Sequence, residues 1–117
     1  MNLNAMFLNL TDKIDWVVNA SAFGELDRES KAILIFIAKR QLDNVEVCAT
    51  DIIQNQRMPG SPVTLFNRIH RLKRLGWILS EASDQHHRKV RLSLSTLAIE
   101  NINMISTLLE HELGIKL

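Results

Sequence analysis

The chain has 117 residues, of which 46% are hydrophobic and 23% charged, and its formal net charge at pH 7 is +1. This composition is typical of one globular domain spanning residues 1–117, and a single cysteine excludes a disulfide-stabilised scaffold. The first residues lack the basic segment of a secretion signal, and no uncharged run is long enough to cross a membrane. We therefore expect a soluble, cytoplasmic protein that is not bound to a membrane.

Positive charge is concentrated in one part of the chain. Residues 57–91 contain eight Lys and Arg side chains and only two acidic ones, a balance of +6. Residues 1–56 carry −3 and residues 92–117 carry −2. This asymmetry predicts a polyanionic partner facing residues 57–91, whereas the alternative is a solvated basic surface without a partner.

The first helix is predicted over residues 2–22, because apolar residues recur there at steps of three and four. They are Leu3, Met6, Phe7, Leu10, Ile14, Val17 and Val18, and Trp16 widens the stripe. This apolar surface either enters the core of the same chain or packs on a partner subunit, and we favour the subunit contact.

A second helix is predicted over residues 28–42, with Asp27 as its N-cap. Its run of seven apolar residues, 32–38, predicts a central helix that is buried on all sides. Residues 45–48 then alternate and are expected to form a third strand beside the hairpin described below. Thr50 is expected to cap a short helix over residues 51–57, with Ile52 and Ile53 facing inward.

The next helix, residues 61–75, has the clearest start and stop signals. Ser61 is a preferred N-cap residue, Pro62 suits the first helical position, and Gly76 suits a left-handed cap at the other end. Leu65, Ile69 and Leu72 form its inner face, and the outer face consists of Val63, Thr64, Asn67, Arg68, Arg71 and Arg74. Two helices joined by a tight turn at residues 58–60 predict a helix-turn-helix whose second helix is basic.

A two-stranded wing follows this helix. One strand is predicted to begin at Trp77, the polar residues 83–88 form a loop, and a strand returns over residues 89–94. Its alternation places Val90, Leu92 and Leu94 inward. A last helix, capped by Ser95 or Thr96, is expected to run to about Leu113 along an apolar stripe of Ala98, Ile102, Ile105, Leu109 and Leu113.

The predicted fold class is mainly α with a small β-wing (α+β). It is a winged helix-turn-helix at residues 45–94, flanked by helices at residues 1–22 and 96–117 that form the interface of a homodimer. The order Ser61-Pro62-Val63-Thr64, Ile69, Leu72, Gly76-Trp77-Ile78 and Leu94-Ser95 resembles MarR-type transcriptional regulators over residues 28–105.

The resemblance implies a homodimer that binds a pseudo-palindromic DNA operator and is in some cases released by a small-molecule effector, which the sequence does not identify. It assigns a minor-groove role to Arg88. The position of the aspartate that normally braces this arginine holds His86, so the brace is absent or displaced to Asp84. The chain is also shorter than is usual for the family and is expected to lack its final helix.

Each residue type suggests a role on double-stranded DNA. Val63 or the Thr64 methyl group suits a thymine methyl, Asn67 suits adenine, and Arg68 suits guanine. Ser61, Thr64 and Arg71 suit phosphates, and the wing, residues 83–91, suits the minor groove or the backbone. The predicted DNA-binding residues are Ser61, Pro62, Val63, Thr64, Asn67, Arg68, Arg71, Arg74, His86, His87, Arg88 and Lys89.

Other kinds of site are not predicted. His86 and His87 are adjacent and point to opposite sides of a strand-like loop, so with His70 and Asp84 they do not predict a metal site. Cys48 is expected to be buried and structural rather than redox-sensing. No catalytic constellation is present, so we expect neither an enzyme nor a cofactor. The alternative function is a winged-helix protein-interaction or assembly module with weak or no DNA binding.

Overall fold

The computed structural model describes residues 3–83 and 89–114. In chain order the elements are α1 Met6–Asn19, a 3-10 turn Phe23–Glu25, α2 Arg28–Leu42, α3 Ala49–Ile53, α4 Pro62–Arg74, β1 Ile78–Ala82, β2 Val90–Leu94 and α5 Thr96–Leu113. None of the helices in these ranges is both long and apolar enough to span a membrane. The predicted class, mainly α with a small antiparallel ribbon, is confirmed.

The described residues divide into two compact units, one formed by residues 3–25 with 100–114 and the other by residues 26–99. In the first unit, Val17, Phe23 and Ile105 are buried. The Lys13 ammonium donates a hydrogen bond to the backbone carbonyl of Glu112, 3.1 Å away, which ties α1 to α5. This unit buries little of the apolar stripe of α1, which remains accessible to solvent.

The core of the 26–99 unit is built from α2, α3, α4 and the ribbon. Its fully buried side chains include Ile33, Leu34, Ile37, Ile52, Leu65, Leu72 and Ile78. The expectation that α2 is buried on all sides is wrong, because Ile35 is 44% exposed. At 3.6 residues per turn, Ile33 and Ile37 share a face and Ile35 lies on the other side.

Helix α3 is shorter than predicted and begins earlier, at Ala49. Thr50 is therefore not its cap. The backbone N–H of Cys48 donates to Asp51 Oδ2 at 2.8 Å, so the third helical residue reaches back to the residue before the helix. Ile52 is buried as expected, whereas Ile53 is only half-buried.

Strands β1 and β2 pair antiparallel with Ile78 opposite Leu94 and Ala82 opposite Val90. Leu92 and Leu94 face inward as predicted, but Val90 is 51% exposed. The prediction for Val90 is wrong because the ribbon has left the core at that point: of β1 only Ile78 is buried.

The outer edge of β2 is closed by two hydrogen bonds rather than by a third strand. The backbone N–H of Leu92 donates to the carbonyl of Val47 at 2.7 Å, and this isolated bridge is all that residues 45–48 contribute as sheet within the described ranges. The N–H of Leu94 donates to the side-chain oxygen of Gln41, also at 2.7 Å.

Candidate nucleic-acid interface

Helix α4 is defined at both ends by the residues that the sequence singles out. Ser61 Oγ accepts a hydrogen bond from the N–H of Thr64 at 3.2 Å, and Pro62 occupies the first helical position. At the other end Gly76 has a φ of +83°, and Trp77 N–H donates to the carbonyl of Leu72 at 2.9 Å. This left-handed cap turns the chain directly from α4 into β1.

The outer face of α4 is opposite its buried leucines and isoleucine. Because successive residues are rotated by 100°, the positions farthest from Leu65, Ile69 and Leu72 are Val63, Asn67, His70, Arg71 and Arg74. All five are exposed, Val63 by 70%. The structure therefore brings together four of the predicted residues and adds His70.

His70 and its neighbour Phe66 are not among the predicted DNA-binding residues. The two rings meet edge to face, with centroids 4.5 Å apart and planes inclined at 65°, and Phe66 is half exposed. This contact restricts the orientation of the imidazole on the outer face. The spacing of three from Asn67 to His70 is the sequence signal that places both on one side of the helix.

Ser61, Pro62 and Thr64 lie at the beginning of α4. Ser61 and Pro62 are exposed and Thr64 is half-buried. Besides its capping bond, Ser61 Oγ donates to Thr64 Oγ1 at 3.0 Å. The two hydroxyl groups are thus fixed by one another at the end of the helix where backbone N–H groups favour an anion.

Arg68 lies on the side of α4 that faces α2 and is not part of the outer face. Its Nε donates to Asp27 Oδ2 at 2.8 Å, and Ser30 Oγ donates to Asp27 Oδ1 at 2.5 Å. Asp27 occupies the N-cap position of α2, as predicted, but its carboxylate binds these two side chains. The predicted guanine reader is therefore a link between two helices.

The carboxyl group of Asp27 is held in its charged form. Partial burial by itself raises the pKa, but the hydrogen bonds from Ser30 and Arg68 outweigh it and lower the pKa from 3.8 to about 2. A carboxylate at the N-terminus of a helix is also favoured by the helix dipole.

We expect Asp27 to stabilise the fold above about pH 4 and to lose this effect as the pH falls through about 2, because its pKa is lower in the folded chain. Since the pair is partly solvated, its contribution is on the order of 1 kcal/mol. Chemical denaturation of the wild type and Asp27→Asn from pH 7 to pH 2 measures it. The difference in unfolding free energy should fall to a small fraction of its pH 7 value by pH 2, and a constant difference would contradict the assignment.

The wing is described up to Ser83 and again from Lys89. Asp84, His86, His87 and Arg88 lie outside the described residues, so their predicted roles stay predictions. Lys89 is exposed, whereas Arg91 is bonded through Nη2 to Glu81 Oε2 at 2.9 Å. Arg91 thus contributes much less positive charge to a partner than its place in the wing suggests.

Two of the exposed cationic side chains lie on α4 itself. Arg71 and Arg74 are exposed, and neither forms an ion pair within residues 3–83 and 89–114. They give the outer face of α4 a positive charge, and Lys89 of the wing is a further exposed cationic side chain.

Cys48 is half-buried rather than fully buried as expected. Burial raises the pKa of its thiol, and the negative charge of Asp51 raises it further. A thiol with a raised pKa is a poor nucleophile, which agrees with a structural role. In the described part of the chain, no three His, Cys, Asp or Glu side chains are grouped so that they could hold a metal ion.

No protein-family model matches the sequence, and no curated protein is significantly similar to it. Solved structures match its fold. S. aureus MepR bound to ethidium bromide superimposes with a TM-score of 0.73 at 16% identity, over 93% of this chain and 73% of that one. The S. aureus MepR–DNA complex has a TM-score of 0.68 at 16% identity, over 93% of this chain and 76% of that one. A MarR-like protein from Bacillus cereus has a TM-score of 0.51 at 18% identity, over 92% of this chain and 74% of that one. The winged-helix fold of MarR-type proteins, predicted from the resemblance, is confirmed.

Proposed function

We propose that this protein is a MarR-type transcriptional regulator that binds double-stranded DNA sequence-specifically as a homodimer. The observation that carries the proposal is the outer face of α4, which is polar, cationic and exposed on a helix whose other face is buried. S. aureus MepR, which shares the fold, has been crystallised with DNA. A protein-interaction module has no need for such a face.

The proposed contacts follow from the shape of DNA. The major groove admits an α-helix, and the residues of its outer face then meet the base edges. We assign base contacts to Val63, Asn67 and His70, because these members of the outer face have shorter side chains than Arg71 and Arg74, which can reach beyond the base edges. Arg71 and Arg74 contact phosphates on either side, and Ser61 with Thr64 contacts a phosphate at the N-terminus of α4.

The ribbon supplies the second contact. Lys89, and by the sequence prediction His86, His87 and Arg88, reach the backbone or the minor groove next to the half-site. In this proposal Arg68 keeps α4 in place on α2 and does not read a base. Its bond to Asp27 supports this reassignment.

The test is selection of bound duplexes from a random-sequence pool, followed by binding to the enriched site over a salt series. We expect one enriched, two-fold related sequence and a log–log salt slope of about −0.9 per phosphate contacted. Uniform binding to all duplexes would contradict sequence-specific regulation and indicate an architectural role. No binding at low salt by the folded protein would refute the proposal.

Substitutions on α4 should separate base contacts from phosphate contacts. Asn67→Ala and His70→Ala are each expected to relax the preference at one base pair per half-site by about 1–3 kcal/mol. Arg71→Ala should weaken binding to every sequence alike and reduce the salt slope by about 0.9. Repeating the selection with each variant measures both effects. If all three variants weaken every sequence equally, the assignment of base contacts is wrong.

A further inference from the structure

Glu46 lies between α2 and α3, outside the two strands of the ribbon, yet it contacts one residue on each side of the ribbon. Its carboxylate accepts a hydrogen bond from Ser83 Oγ at 2.6 Å, just beyond the end of β1. The other carboxylate oxygen lies 3.7 Å from Nη1 of Arg91 on β2. The Glu46 side chain thus links the two sides of the ribbon at its outer end, through Ser83 on one side and Arg91 on the other.

Glu46 is much less exposed to solvent than Glu81, the other acidic partner of Arg91. The side chain of Glu46 is only 17% exposed, whereas that of Glu81 is 50% exposed. A carboxylate removed from water is stable only where charge and hydrogen bonds compensate for the missing hydration. Ser83, itself buried, and Arg91 provide this compensation. The contact is therefore specific in geometry as well as in charge.

Apolar packing holds the ribbon only weakly at its outer end, beside Ser83. Ala82 and Val90, which pair across the strands, are both exposed, and residues 45–48 add only the bridge from Val47 to Leu92. Clefts of about 470 and 360 Å³ lie beside Val45 and Glu46. With little packed surface to fix the direction of the ribbon, that direction depends on the polar contacts.

We propose that Glu46 is a positioning residue for DNA binding, which sets the wing relative to α4 by holding Ser83 and Arg91. The proposal rests on the proposed function. Glu46 itself touches no DNA, since its carboxylate would repel phosphates and is turned into the ribbon. Glu46 would thus support the ribbon from outside it, whereas the sequence prediction has the usual aspartate brace of the wing absent or displaced to Asp84.

The test uses the full chain and two forms of the selected site, one with flanking base pairs within reach of the wing and one trimmed to the α4 contacts. We expect Glu46→Ala to weaken binding to the long duplex by roughly three- to tenfold, the scale of the net contribution of one hydrogen bond. Binding to the short duplex should be unchanged. The salt slope on the long duplex should become shallower by about 0.9 for each phosphate that the wing no longer neutralises.

Two further variants complete the test. Glu46→Gln, whose amide oxygen can still accept from Ser83, should recover part of the affinity. The matched control is Glu81→Gln, which neutralises the exposed partner of Arg91 and should bind the long duplex no more weakly than the wild type. The positioning role of Glu46 is overturned if Glu46→Ala loses the same affinity on both duplexes. It is also overturned if neither Glu46→Ala nor Glu46→Gln loses affinity for the long duplex. If the wild type itself selects no site, the proposed function fails, and the positioning role fails with it.

Discussion

Replacing Met6 and Phe7 together by glutamate is expected to make the protein monomeric and to weaken its binding to the selected DNA site by about 10²- to 10⁴-fold. Both side chains are 73% exposed on α1, close to the similarly exposed Leu3. Exposed apolar surface of this kind marks an interaction site, and a two-fold related partner covers the same face on each copy. A monomer loses the second half-site and with it the gain from bivalent binding.

Sedimentation and light scattering measure the first effect, as a change from twice 13.4 kDa to 13.4 kDa. The matched control is Leu8→Glu, because Leu8 is also exposed but is rotated away from the stripe of Met6 and Phe7. It should remain dimeric and bind DNA normally. A monomeric wild type, or dissociation by Leu8→Glu to the same extent, would refute the proposed dimer interface.

Leu72→Ala is expected to lower the free energy of unfolding by about 2–5 kcal/mol. Leu72 is fully buried on the inner face of α4, and its carbonyl also accepts the bond from Trp77 that ends the helix. Removal of its side chain leaves a cavity between α4 and the elements packed against it. Urea denaturation, followed by far-UV circular dichroism, measures the loss.

Leu75→Ala is the control for this substitution, three residues further along. Leu75 is 51% exposed, so its truncation should change the unfolding free energy by no more than about 0.5 kcal/mol. Similar losses for the two leucines would show that the inner face of α4 has been assigned incorrectly. DNA binding by folded Leu72→Ala, measured where the variant is fully native, should stay close to that of the wild type.

The parts of the fold that the sequence predicts are those fixed by local rules. Ser61, Pro62 and Gly76 mark the ends of α4 because capping and φ preferences act within one turn. The spacing of Leu65, Ile69 and Leu72 identifies the buried face for the same reason. The prediction for Val90 fails because alternation tells which residues share a face of a strand, but not where the strand leaves the core.

Interactions between distant residues could not be predicted. Arg68 and Asp27 are 41 residues apart, and no local pattern tells that their side chains meet. Residue type and helical position therefore assign Arg68 to DNA, whereas the structure places it against α2. The same holds for Glu46 and Ser83, which are 37 residues apart. His70 is a different case, since helical spacing alone places it on the outer face.

The hydrogen bond from Leu94 to Gln41 has a consequence for how the protein behaves at high concentration. A two-stranded ribbon exposes a row of unpaired backbone groups along an edge, and such an edge can recruit a strand from another molecule. Gln41 occupies the N–H of Leu94, and Val47 occupies that of Leu92, so β2 cannot extend into a larger sheet without breaking both bonds. The β2 edge of the ribbon is thereby protected from pairing with a strand of another copy.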